Sequence, residues 1–235
     1  MAPEMERPQD PADLYYACGD DIVSARPTLT GDVFDSVAVP DTDGSIRQIT
    51  VMVLDHPCSL RVDGVNLAQR LTVAEVLPVQ GTQWNGSFNR MFLPEPYPQA
   101  EGRAKPCAAF FDACYHVSPE QLDDGTRIAC LSHFGINLLL QRRVHHFSRV
   151  VVPTFQFQEA NAGVYEEADL IEEWCTERED DEVKHLEATA ECVDWLRESV
   201  PDGRRRQQLL HEPQHRSTVR KEMRARLKAL KQQGR

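Results

Sequence analysis

The chain reads as an α+β protein, with a β-rich, barrel-like body over residues 30–158 and a helical, charge-segregated module over residues 164–235. Three observations predict this. Short β-branched and apolar segments separated by turn signals fill the first part of the chain. After Gly163 the apolar spacing changes to steps of three and four, the helical period. Charge separates in the same region: residues 166–198 carry 3 basic and 14 acidic side chains, and residues 199–235 carry 11 basic and 3 acidic.

Residues 1–29 are read as an irregular arm, punctuated by Pro3, Pro8, Pro11 and Pro27. A first strand then runs through Gly31–Val39. Asp43-Gly44 signals a hairpin into a buried strand over Ile46–Leu54. A loop from Asp55 leads to strands over Leu71–Val79 and Phe88–Leu93, where Pro94, Pro96 and Pro98 stop the sheet. Ala108–Val117 and Ile128–Leu131 are further strands, with one helical turn between them. Gly135–Phe147 fits a helix, and Val150–Phe155 is a last strand or a linker ending in Pro153. Ala168, Ile171, Trp174, Cys175, Val183, Leu186, Ala190, Val193 and Leu196 form the stripe of one acidic helix, or two in series, over about 164–199. Pro201 ends it. Val219, Met223, Leu227 and Leu230 form a second, basic stripe over about 216–232, with Ser217 as its cap.

Composition bounds the function. With 41% apolar and 27% charged residues the chain can fold as a globular protein. Its apolar runs are too short to span a bilayer. The N-terminus lacks the basic start and apolar stretch of a signal peptide, so a cytoplasmic location is expected. Seven cysteines without a CxxC pair read as reduced thiols. A net charge of −11 makes the whole protein a poor partner for nucleic acid, although a local basic tail remains.

Five features are candidates for chemistry. Asp55-His56-Pro57-Cys58 follows a buried strand, where a rigid scaffold displays loop residues; His56 and Cys58 have the residue types of a nucleophile and its base. The plainer reading is a structured loop. Cys107, Cys114, His116, Cys130 and His133 are zinc-ligand types, but their spacing lacks the tight knuckle pair, and neither metal nor cofactor is expected. Arg142, Arg143, His145, His146 and Arg149 make the basic patch of the body, suited to an acidic ligand, a phosphate or the acidic segment at 166–198; of these the acidic segment is the plainest partner. Arg204, Arg205 and Arg206 open the basic tail, which could bind nucleic acid but lacks aromatic residues for stacking. Opposite charge and apolar stripes favour pairing of the two helical segments instead, within the chain or in a second copy.

The fifth feature is an ordered series: Gly31-Asp32-Val33-Phe34, Asp43-Gly44-Ser45-Ile46-Arg47, Val51–Leu54, and Val76–Gln83. Over residues 30–90 it resembles the start of PemK/MazF-like toxins. The resemblance implies an SH3-like barrel and RNA cleavage in which Arg47 stabilises the phosphorane and Thr82 assists. The sequence departs from that pattern: no proline follows Arg47, and Thr82 aligns only approximately. The loop at His56–Cys58 is also loosely similar to uncharacterised proteins associated with phage defence, with Ser59 where that pattern has Asp. No catalytic constellation is complete, so the reading leans away from an enzyme. It favours a protein-interaction or sensor component of a phage-defence or toxin–antitoxin-like system, with a PemK/MazF-like ribonuclease and a nucleic-acid-binding regulator as alternatives.

Overall fold

A computed structural model describes residues 4–41, 43–81, 84, 88–94 and 106–233. The chain divides into two compact units, one made of Met1–Ile22, Thr28–Leu60 and Leu67–Glu159, the other of Val23–Pro27, Arg61–Asn66 and Ala160–Arg235.

The first unit is a mixed α+β structure built on one open, seven-stranded antiparallel sheet. Its strands are β1 (Tyr15–Cys18), β2 (Val33–Pro40), β3 (Ile46–Val53), β4 (Leu71–Pro78), β5 (Arg90–Leu93), β6 (Cys107–Val117) and β7 (Thr126–Leu131), in the order β1-β7-β2-β3-β4-β6-β5. The β2–β3 hairpin forms where Asp43-Gly44 predicts it. Gly44 takes φ +84°, and the Asp41 N–H donates to the Ser45 carbonyl at 2.7 Å. Alternate residues face one apolar cluster, Phe34, Val37, Val39, Ile49, Val51, Val53, Val73 and Val117 among them.

The expected irregular arm contains β1, a correction. This short strand pairs with β7, and the Tyr15 hydroxyl donates to the Pro94 carbonyl at 2.9 Å, just beyond β5. The two outer strands of the open ladder are thereby tied by a side chain.

Helix α1 (Pro119–Asp123) is held by a capping box between Ser118 and Gln121. Helix α2 (His133–Ser148) starts at the cap Ser132 and ends at Arg149, which takes φ +63°. Ile136, Leu138, Leu139 and Leu140 are buried. At Gly135 the helix passes so close to the backbone of Leu14 that a Cβ would overlap the Leu14 carbonyl oxygen. The strand or linker expected over 150–155 is a linker, because helix α3 (Thr154–Glu179) begins directly after Pro153. The start of α3 is capped from far along the chain: the Thr154 N–H donates to Glu6 Oε1 at 2.8 Å and its hydroxyl to Oε2 at 2.5 Å.

The second unit contains α3 from Ala160 onward, α4 (His185–Arg197), α5 (Arg206–Leu209) and α6 (Pro213–Gln233). The acidic segment is thus two helices. The basic helix begins at Pro213, in the first turn where proline is tolerated, so Ser217 is interior rather than the cap. Leu170, Ile171 and Trp174 share a buried core with Cys192, Val193, Leu196, Val219, Met223 and Leu227. Around this seam, Arg220 pairs with Glu166 at 3.0 Å and with Glu173 at 3.1 Å; Arg224 pairs with Glu173 at 2.6 Å; Lys231 pairs with Glu177 at 2.9 Å. The short segment Val23–Pro27 is anchored by Arg26, a fully buried side chain 2.7 Å from Glu172.

Two outcomes follow from packing. Gly135→Ala should lower stability by more than the about 1 kcal/mol that helix propensity would return, measured by denaturant unfolding. Met223→Ala should cost about 2–5 kcal/mol. Raising salt to about 0.5 M should change stability less than that, because screening acts on solvent-exposed pairs and leaves the apolar seam intact.

Candidate functional site

Arg47 lies on β3, where its guanidinium grips Glu75 of β4 through Nη1–Oε1 at 3.0 Å and Nη2–Oε2 at 3.1 Å. The Tyr115 hydroxyl joins both groups, and the Arg47 Nε stands 3.6 Å from Asp41. Glu75 is only 7% exposed, so this fork is its charge compensation. The hydrogen bond to Glu75 raises the Arg47 pKa above its ordinary value. Thr82, the other residue of the expected RNA-cleaving pair, lies outside the described residues.

The basic tail is engaged within its own unit. Arg204 pairs with Asp202 and Glu212, while Arg206 pairs with Glu198 and Glu222 and stacks over Trp195. Arg205 precedes α5, where its backbone N–H donates to Gln208 Oε1 at 2.8 Å. The zinc-type residues do not converge: Cys107 and Cys130 are buried, Cys114 and His116 are exposed on β6, and no metal-holding group of His, Cys, Asp or Glu occurs among the described residues.

Arg142, expected to bind ligand, is instead fully buried, because its turn of α2 faces the sheet. Its Nε donates to the Arg90 carbonyl at 2.8 Å, and both terminal nitrogens reach the Trp84 carbonyl. The rings of Trp84 and Phe92, packed edge-on to each other at 5.6 Å, both lie against its guanidinium, at 5.2 and 5.7 Å. Burial, with the charge of Arg90, pushes its pKa down to about 10. Arg142 therefore fastens α2 to β5.

The next residue is in a different situation. Arg143 Nη1 donates to the Leu54 carbonyl, at the end of β3. Its Nε is buried and has no hydrogen-bond partner among the described residues, and no carboxylate among them stands within ion-pair distance. Burial lowers its pKa, while Cys114 and Asp55 oppose that effect. Asp55 is itself committed, its Oδ2 accepting from the Thr72 N–H at 2.6 Å.

His56 and β6 complete the surroundings. The Cys58 N–H donates to His56 Nδ1 at 3.2 Å. The neutral imidazole consequently carries its proton on Nε2, as a donor. Partial burial and the Arg143 charge lower the His56 pKa. On β6 the register jumps between Cys114 opposite Ala74 and Ala109 opposite Val76, a bulge of the kind that re-aims side chains. Asp112 in this bulge stands 3.2 Å from His146 Nε2 and accepts from Asn89 Nδ2 at 3.0 Å. Cys114 Sγ donates to the Phe111 carbonyl at 3.2 Å. Burial raises the Cys114 thiol pKa, and Asp112 adds to this against the pull of Arg143. The thiol is protonated at neutral pH, a poor nucleophile. His145 packs edge-on to Phe88 at 4.6 Å, while Arg149 is exposed at the helix end.

The structure thus brings His56 into electrostatic range of Arg143, and Arg143 into range of Cys114. Cys58 supports the His56 tautomer through its backbone. The arrangement suits anion binding better than nucleophilic attack: it offers a half-buried permanent cation, an N–H donor and a protonated thiol. Compared with known proteins, the chain matches no family model, no curated protein and no solved structure.

The Arg47 clamp has a measurable signature. Arg47→Ala should destabilise the fold more than the Arg47→Ala/Glu75→Gln double variant, because only the single variant strands a buried carboxylate. Urea unfolding of both variants checks this ordering.

Proposed function

We propose that the chain is a non-catalytic sensor or protein-interaction component that reads an acidic group, phosphate or carboxylate, at Arg143. The observation that carries this reading is a half-buried guanidinium whose Nε has no protein partner among the described residues, beside the His56 donor. A buried donor without a partner costs free energy that an anion recovers. The protonated Cys114 thiol supports the non-catalytic part.

Seven free cysteines support a reducing, cytoplasmic setting. The tie between Tyr15 and Pro94 supports a barrel-like, SH3-like reading of the sheet. Membership of a phage-defence or toxin–antitoxin-like system is part of the same proposal, resting on the sequence resemblance. Among the described residues no helix is long and apolar enough to cross a membrane.

A PemK/MazF-like ribonuclease is the second reading, favoured by the Arg47, Glu75 and Tyr115 contacts. It ranks lower because the Arg47 fork is already filled by Glu75. Nucleic-acid binding by the tail ranks third, since Arg204, Arg206, Arg220 and Arg224 all have carboxylate partners.

Calorimetric titration with sulfate, whose charge is constant near neutrality, tests the leading reading. Arg143→Ala should weaken sulfate binding about tenfold or more, the loss expected for a charge-assisted hydrogen bond. Equal binding by the variant and the wild type would refute it. The pH dependence has a definite sign. A bound anion favours imidazolium, so it raises the lowered His56 pKa and takes up a proton. Sulfate affinity should rise as pH falls from about 7.5 toward about 5.5, and His56→Gln should flatten that rise.

A further inference from the structure

We infer that the acidic group read at Arg143 is carried by a protein segment with apolar side chains, docked across the α2–α3 elbow. This rests on the anion-binding reading and adds the partner class.

Phe147, Val150 and Phe155 are 70%, 55% and 58% exposed. Isolated exposed apolar residues are ordinary, but these three lie in and on either side of one short connection. Arg143 and Phe147 are separated by four residues of one helix, so their side chains are neighbours on one face. The His146 ring meets the Phe147 ring at 4.7 Å. The anion site therefore continues directly into an apolar shelf. Arg142 anchors the turn beneath it, which makes the shelf part of a rigid platform.

Charge complementarity selects the occupant. The chain has a net charge of −11, yet residues 133–158 contain no Asp or Glu; with Arg142 buried, their outward cations are Arg143 and Arg149 beside the histidines 133, 145 and 146, and Asp112 and Glu6 are the carboxylates that pack against them from other elements. A cationic, apolar strip of this kind fits an acidic amphipathic peptide. An anionic bilayer offers the same charge on a flat surface. The guanidinium of Arg143 is half-buried, however, and is better reached by a single projecting carboxylate or phosphate.

A random dodecapeptide display library panned on the full chain tests this. Enriched clones should place Asp or Glu next to aromatic or aliphatic residues, and sulfate should compete with them. A synthetic peptide of the most enriched clone should bind the Phe147→Ser/Phe155→Ser variant about tenfold more weakly. That variant should keep wild-type sulfate affinity, because both side chains are exposed and neither contacts the anion. Arg143→Ala should lose peptide and sulfate alike. Absent enrichment, basic clones, or peptide binding indifferent to the phenylalanine pair would overturn the docking inference while sulfate binding still upheld the anion site. Loss of sulfate binding in the wild type would remove both. Binding to phosphatidylserine vesicles that depended on Phe147 and Phe155, without peptide enrichment, would replace the peptide by a membrane.

Discussion

The candidate site depends on how helix α2 is fixed to the sheet. Two adjacent arginines divide the work. Arg142 is buried and directs its donors to the carbonyls of Arg90 and Trp84, beside the edge-to-face pair of Trp84 and Phe92. A cation in that position is costly unless its donors are satisfied, so the helix has little freedom to rotate about its axis. A turn of α2 away from this rotation would strand the guanidinium. Because α2 is held there, Arg143 points to the end of β3, and His146 meets Asp112 in the β6 bulge. Gly135 fixes the other end of the helix, where only a hydrogen fits against Leu14.

The second unit resolves the charge segregation of the sequence in a different currency. Ion pairs between α6 and α3 are numerous, but they lie largely at the surface, where each contributes little. The continuous seam of Leu170, Ile171, Trp174, Val219, Met223 and Leu227 supplies the burial. Charge then sets which helix pairs with which, and apolar contact holds them. A tail in which Arg204, Arg206, Arg220, Arg224 and Lys231 already have carboxylates has less to offer a phosphate backbone.

Much of the fold was legible. The hairpin at Asp43-Gly44, strands β3, β4 and β6, and helix α2 follow from turn chemistry and periodicity, which are local signals. What escaped was set by distant partners. Strand β1 sits among prolines and becomes a strand only by pairing with β7. Val150–Phe155 is apolar enough for a strand, yet Thr154 opens a helix because Glu6 caps it from 148 residues away. The candidate site was half legible. His56, His146 and the basic character of α2 stood out by residue type. The separate roles of Arg142 and Arg143 did not, because periodicity places them on different faces without saying which face meets the sheet. Nor did the sequence show that Glu75 answers Arg47, since that contact depends on strand register.

The most direct measurement observes the Arg143 Nε–H itself. In a proton–nitrogen spectrum of the guanidinium groups, with the resonance assigned through Arg143→Lys, sulfate should shift that signal saturably. The signal of Arg142 should hold still, since its Nε–H already donates to the Arg90 carbonyl. A stationary Arg143 signal, or a uniform non-saturating drift of all the arginines, would contradict the account.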